Sequence, residues 1–156
     1  MPDDLTIRLA TSSDASALAR SRYSFRASLG EPCEDEEGFV ARCSLWMRER
    51  LDQQSRWLCW VAEQDRVIVG HLWMQIIEKI PNPIIEPEFH AYITNFYVRE
   101  EQRGGGVGSK LLEAALGWAK AQEVEAVILW PTERSRPLYE RHGFAVREDL
   151  LELMIK

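Results

Sequence analysis

The sequence predicts a single domain built on a mixed α/β sheet, and three observations carry that expectation. Its periodic segments run strand, two helices, three strands, helix, strand, helix, two strands, so sheet and helix interleave along the chain. The second and third strand runs are joined only by Gln64-Asp65-Arg66, a connection short enough for an antiparallel hairpin. Finally, 156 residues, 46% of them hydrophobic and 28% charged, suit one packed core that needs no disulfide or metal. Repeats, low-complexity tracts and linkers are not apparent.

Ile7–Leu9 is a short apolar stretch suited to open a sheet. Thr11, Ser12 and Ser13 then offer N-cap oxygens to a helix running to about Leu29, with Leu18, Phe25 and Leu29 near one face. Gly30 and Pro32 break it. A second helix is expected from about Glu34 to Asp52, because Phe39, Val40, Cys43, Trp46, Met47 and Leu51 recur at spacings of three and four. Glu31, Glu34, Asp35, Glu36 and Glu37 crowd its start, where the helix dipole favours negative charge.

Trp57–Glu63 and Val67–Ile77 form the hairpin. Ile80–Glu88, with three prolines, reads as an irregular loop, and Ala91–Val98 as a third strand of this group, rich in Tyr, Ile, Thr and Phe. Val107–Ala121 is an amphipathic helix with Val107, Leu111, Leu112, Ala115, Leu116 and Ala119 on one stripe. Val127–Trp130 suits a buried strand. A short helix over Ser135–Arg141 ends at Gly143, and strands are expected at Phe144–Arg147 and Leu151–Ile155.

Composition excludes several functions. A net charge of −6 with scattered basic residues argues against nucleic acid as a partner. Met1–Ala10 has no apolar run of a secretory signal, and no stretch of about eighteen apolar residues occurs for a membrane span. The expected compartment is the cytoplasm. Cys33, Cys43 and Cys59, with His71, His90 and His142, lack metal-ligand spacing, so no metal is expected and the thiols read as reduced.

The stretch from Tyr97 to Lys110 carries the chemistry. A strand ends, three consecutive glycines follow Arg103, and a helix begins at Val107. Free N–H groups at a helix start carry partial positive charge, and glycines let an anion approach them, so the turn suits phosphate or pyrophosphate. A Walker loop fails because Lys110 follows Ser109, not glycine. The dinucleotide fingerprint fails because Ser109 holds its last position.

What fits is R-x-x-G-x-G, from Arg103 through Gly106 to Gly108. Between a strand and a helix, this resembles the coenzyme A-binding motif of the GNAT superfamily of N-acetyltransferases. Leu138-Tyr139-Glu140-Arg141-His142-Gly143-Phe144 is similar to that superfamily's L-Y-E-x-x-G-F segment. Ala126–Trp130 resembles its fifth strand, and Ile7–Thr11 followed by Asp14-Ala15 its first strand and helix. The resemblance covers nearly the whole chain. It implies a three-layer fold with a mostly antiparallel mixed sheet, helices on both faces, and a splayed gap between the fourth and fifth strands.

The resemblance also implies roles. The backbone of Phe96, Tyr97 and Val98 would pair with the pantetheine amides of acetyl-CoA. The turn opened by Arg103, with the N–H groups of Gly104, Gly105, Gly106, Val107, Gly108 and Ser109, would hold the pyrophosphate. A β-bulge in the fourth strand would aim an N–H at the thioester carbonyl. Tyr139 occupies the position of the general acid. A phenol of pKa about 10 stays protonated at neutral pH and can donate to the departing sulfur.

The amine, with a pKa of about 10.4, must lose a proton before it attacks. His90, near the start of the fourth strand, is the candidate base, with Glu88 and Asn95 poorer ones; many relatives instead use water chains. Relatives often carry Asn seven residues before the motif tyrosine. Here that position is Thr132, and Thr132 and Ser135 are expected on the coenzyme side. Homodimers are common in the superfamily. Two functions follow: N-acetyl transfer to an unidentified amine, or a non-catalytic module that binds acyl-CoA. The acids from Glu31 to Glu37, with Tyr23, Phe25 and Trp46, would suit a cationic acceptor.

Overall fold

The computed structural model describes residues 4–53 and 55–156. Five strands form one sheet in the order β1 (Leu5–Leu9), β2 (Trp57–Gln64), β3 (Val67–Glu78), β4 (Phe89–Val98) and β5 (Val127–Ile128). The first four are antiparallel neighbours, and β5 joins β4 in parallel. The hairpin between β2 and β3 turns on Asp65 and Arg66, both at positive φ, which matches the twist of the flanking strands.

Helices α1 (Ala15–Ala27) and α2 (Glu36–Asp52) cover one face of the sheet. Helix α3 (Val107–Ala121) covers the other, and the short α4 (Arg136–Arg141) follows β5. Alternation along the strands feeds both layers. Leu72, Met74, Ile76, Ala91 and Ile93 pack toward α3 with Leu111, Leu112 and Ala115. Val61, Cys59 and Trp73 pack toward α1 and α2 with Leu18, Ala19 and Met47. The sheet is therefore apolar on both sides, and its central strands read as near-continuous hydrophobic runs.

Caps fix the helix ends. Helix α2 starts at Glu36, not Glu34, because the Asp35 carboxylate accepts the Gly38 N–H at 2.9 Å. Helix α1 stops at Ala27, leaving Leu29 exposed. Arg8 on β1 donates to Asp14 at 2.9 and 3.0 Å and to Glu63 at 3.0 Å, tying the start of α1 to the sheet. Helix α4 ends at Arg141, and just past its His142 cap the chain turns at Gly143, where φ is 94° and the Phe144 N–H returns to the Tyr139 carbonyl at 3.1 Å.

The two terminal strands expected at Phe144–Arg147 and Leu151–Ile155 are not formed. Phe144 packs on the core, but Val146, Leu151, Leu153 and Ile155 are exposed. Their alternating pattern is strand-like, yet a strand exists only where an edge offers hydrogen bonds. The ladder between β4 and β5 is confined to Val127 and Ile128, so β5 ends at Ile128 and not at Trp130. Among the described residues, none after it pairs with the free side of β5.

Candidate active site

Strand β4 changes character along its length. Ala91 and Tyr92 pair with Val127 and Ile128, and the pairing stops there. From Ile93 onward the β5-facing edge of β4 is open, so the sheet splays at this seam. On the other side, Trp73 pairs with Thr94 and His71 with Tyr97. Leu72 thus faces both Asn95 and Phe96, two residues against one, which defines a β-bulge. Asn95 sits at φ 50°, in the left-handed region that Asn tolerates better than most side chains.

A buried histidine clamps the bulge from behind. His71 is 1% exposed; its Nδ1–H donates to the Asn95 carbonyl at 2.9 Å, and the Ser21 hydroxyl meets Nε2 at 3.2 Å. Burial holds its pKa at about 4, against an ordinary 6.5, with the nearby Arg22 guanidinium adding to the effect. The ring is therefore neutral at physiological pH, with Nδ1 the donor and Nε2 the acceptor.

The glycine turn follows β4. Arg103 folds back so that Nε donates to the Val98 carbonyl at 2.9 Å and its guanidinium lies 5.5 Å from the Tyr97 ring centre. It latches the turn to the strand. Gly104 and Gly106 adopt φ values of 85° and 84°, which side-chain-bearing residues rarely hold. Gly106 caps α3, and no side chain occupies that cap. The first helical bond runs from Lys110 N–H to Gly106 O at 3.1 Å, leaving the N–H groups of Val107, Gly108 and Ser109 pointing out of the helix. Together with the left-handed glycines they form a concave donor set suited to a diphosphate. Gly105 lies between the two left-handed glycines, on the same turn.

Gly108 has a second role. A Cβ there would lie 3.5 Å from Leu138 and 3.7 Å from Phe96, so α3 starts hard against β4 and α4. Tyr139 stands at this junction, its ring edge-on to Phe96 at 6.1 Å and to Phe144 at 5.6 Å. It is 7% exposed. Burial raises its pKa, and the Ser135 hydroxyl opposes that rise, so the phenol keeps its proton at neutral pH.

The structure thus brings Phe96, Tyr97, Val98, the glycine turn and Tyr139 together on the open side of the seam. It keeps His90 apart. His90 lies at the closed side, its Nε2 3.1 Å from Glu125, which also accepts from Lys79 at 2.9 Å. Five residues of strand, roughly 16 Å, separate it from Asn95. Thr132 and Ser135 are occupied with each other: Thr132 N–H reaches Ser135 Oγ at 2.9 Å and Ser135 N–H reaches Thr132 Oγ1 at 3.1 Å, which closes the turn leading into α4. The acids before α2 are similarly engaged, Asp35 as N-cap, Glu34 with Arg42, and Glu36 with Arg20 at 3.7 Å.

Cys33 is exposed, Cys43 half-buried and Cys59 buried, all as free thiols. Burial raises the pKa of Cys43 and Cys59, which makes them poor nucleophiles. Among the described residues, no group of three or more His, Cys, Asp or Glu could hold a metal ion, and no helix is long and apolar enough to cross a membrane.

Sequence reasoning passed over the roles of His71, Ser21 and Arg22. The one local signal was polar residues in apolar company: His71 inside the Val67–Ile77 run and Asn95 between Thr94 and Phe96.

Comparison with known proteins agrees with this geometry. A sequence model described as the Acetyltransferase (GNAT) family matches residues 23–144. No individually curated protein gives a significant sequence match. Among solved structures, a predicted acetyltransferase from Clostridium acetobutylicum, determined with acetyl-CoA, superposes with a TM-score of 0.76 at 24% identity, covering 97% of this chain and 96% of its own. A GCN5-related N-acetyltransferase from Ralstonia eutropha gives 0.74 at 23% identity, covering 97% and 99%. Glucosamine-6-phosphate N-acetyltransferase from Arabidopsis thaliana gives 0.71 at 18% identity, covering 99% and 100%. These likenesses establish the fold, and the family match spans most of the chain. The chain belongs to the acetyltransferase (GNAT) family and is an acyltransferase.

Proposed function

We propose that the protein transfers the acetyl group of acetyl-CoA to a primary amine by direct attack on the thioester. The observation that supports this most is convergence at one seam: an open β4 edge, a bulge at Asn95 and Phe96, a bare glycine-capped helix start, and a buried phenol. The β4 edge from Phe96 to Val98 takes the pantetheine as an added strand, although the Val98 carbonyl already accepts from Arg103. The N–H groups from Gly104 to Ser109 hold the pyrophosphate.

The amine first loses a proton to water. Its lone pair then attacks the carbonyl carbon, and an N–H released from the ladder by the bulge donates to the oxyanion. The C–S bond breaks, and Tyr139 gives its proton to the departing thiolate. Attack leaves the nitrogen cationic, and on collapse it gives up a second proton, which reaches the Tyr139 phenolate through water. The first proton stays in solution, and the products are the neutral amide and the CoA thiol. His90 has no part in this route, because it sits at the closed end of the seam beside Glu125.

Calorimetry with acetyl-CoA, followed by incubation with an amine panel and chromatographic quantification of released CoA, tests the proposal. Chromatography is preferable to thiol dyes because Cys33 is exposed. Acetyl-CoA binding with amine-dependent CoA release is the expected result. Binding without release would make the protein a non-catalytic acyl-CoA-binding module, and absence of binding would overturn the reading.

A further inference from the structure

A cavity of about 660 Å³ opens on the α1/α2 face of the sheet, directly beside the bulge. That volume is typical of a small-molecule site. Its wall is aromatic: Trp46, Trp57 and Trp73 stack against one another at 5.2, 6.0 and 6.3 Å, and Tyr92 adds a fourth ring from β4.

Three polar features stand out in that wall. Trp73 is 2% exposed, and its Nε1–H has no acceptor. The Asn95 Oδ1 is buried without a donor. Arg22 has no carboxylate within ion-pairing distance among the described residues, whereas the other charged lining groups are satisfied: Arg42 by Glu34, and Glu49 by Arg50 at 3.1 Å. Arg22 is also partly desolvated and close to Arg26, both of which lower its pKa. A half-buried cation with no counter-ion and two orphaned buried polar atoms each cost stability. Arg22 is the one of the three that a ligand in the cavity can reach, since the Trp73 and Asn95 atoms have no exposed surface. A half-buried cation without a counter-ion on an aromatic wall indicates that a ligand supplies its partner.

The pattern of vacancies defines that ligand. Arg22 calls for an anionic acceptor, and a carboxylate satisfies it. The amine follows from the acetyltransferase reading, in which the acetyl carbonyl would lie at the bulge, and Thr94 and Asn95 of the bulge region line this cavity. The tryptophan wall calls for a flat apolar body. A simple cation fits less well, since the Arg50 guanidinium already lies 4.5 Å from the Trp46 ring centre and Arg22 would repel it. The acidic mouth expected from Glu31 to Glu37 likewise spends Glu34, Asp35 and Glu36 on Arg42, a helix cap and Arg20.

We propose that the acceptor is an aromatic amine that also bears a carboxylate, an aromatic α-amino acid or close analogue, with Arg22 as the residue that selects for the carboxylate. This rests on the acetyltransferase reading above and names its acceptor class.

The test compares carboxylated and decarboxylated pairs: L-phenylalanine with phenethylamine, and L-tryptophan with tryptamine, alongside L-lysine and spermidine. Acetyl-CoA is present throughout, and N-acetyl product is measured by mass spectrometry. The expected kcat/KM for each amino acid exceeds that of its decarboxylated partner by about tenfold or more. Arg22→Gln should collapse that ratio by raising KM for the amino acid, and Arg22→Lys should restore part of it. Continued binding of acetyl-CoA by both variants shows that they are folded.

Equal use of phenethylamine and L-phenylalanine, or a ratio untouched by Arg22→Gln, overturns the assignment. So does acetylation of lysine or spermidine alone. Failure of every aromatic amino acid in a protein that binds acetyl-CoA overturns the acceptor class and leaves the coenzyme site standing. Failure to bind acetyl-CoA brings down both.

Discussion

From Phe89 to Tyr92, β4 carries a continuous β3 ladder, and β5 closes its other edge at Ala91 and Tyr92. From Ile93 to Val98 the β5 side is open and the β3 ladder is interrupted by the bulge. Each half carries two aromatic residues, Phe89 and Tyr92 in one and Phe96 and Tyr97 in the other, and both pack apolar side chains against the α3 core. They differ in what the backbone has left to give. The closed half spends its N–H and C=O groups on neighbours, and its one histidine is held by Glu125. The open half retains an unpaired edge, a left-handed Asn95, and the start of α3 close by. On the proposed route the chemistry lies where the ladder stops, and the placement of a titratable side chain matters less than the state of the backbone beside it.

That contrast can be broken most decisively at Tyr139. Tyr139→Phe should lower kcat by about 100-fold while leaving acetyl-CoA affinity nearly unchanged, as measured by steady-state kinetics and calorimetry. Full turnover in the variant would detach the phenol from the open half's chemistry.

The clamp behind the bulge gives a pH signature. His71 is held at about 4, below its usual 6.5, so between those values the unfolded chain binds a proton that the native protein does not. Stability should therefore fall as pH drops from 6.5 toward 4, by at most roughly 3 kcal/mol, with no contribution from His71 above 6.5. Asp14, held low chiefly by Arg8, loses its contribution only as pH falls through the carboxylate range. Tm measured against pH in dilute solution should show the His71 step, and His71→Gln should flatten it.

Gly106→Ala sharpens the comparison at the turn. An added Cβ meets nothing within 4 Å, but the residue must hold φ 84°, at a cost of about 1–2 kcal/mol. Acetyl-CoA affinity should weaken by about tenfold; calorimetry showing no change would remove the glycine cap from the coenzyme site. The smallest effect is expected from His90→Gln in the closed half. It should alter kcat by less than about twofold, and a large loss with a shifted pH-rate profile would make His90 the base after all.

Much of this was legible in the sequence because it is written in local signals. Helix α3 begins and ends where its stripe of Val107, Leu111, Leu112 and Ala115 predicts, and the glycine run with Arg103 marks the turn without any tertiary information. The hairpin at Asp65 and Arg66 was equally plain. What was not legible depends on partners distant in the chain. His71 becomes a clamp only because Ser21 and the Asn95 carbonyl arrive from α1 and β4. Arg22 becomes conspicuous only once the other charged groups lining the cavity, Arg42 and Glu49, are seen to be paired. The terminal strands failed for the converse reason: the pattern at Leu151–Ile155 is strand-like, but among the described residues no neighbouring strand pairs with it.

The exposed C-terminal tail has a practical bearing. At neutral pH the net charge of −6 keeps molecules apart, and the side chains of Leu151, Leu153, Met154 and Ile155 are exposed. Near the isoelectric point of about 5.2 that mutual repulsion vanishes, and nothing opposes contact between those oily side chains on colliding molecules. Purification and storage well above that pH, away from acidic buffers, should keep the material clear.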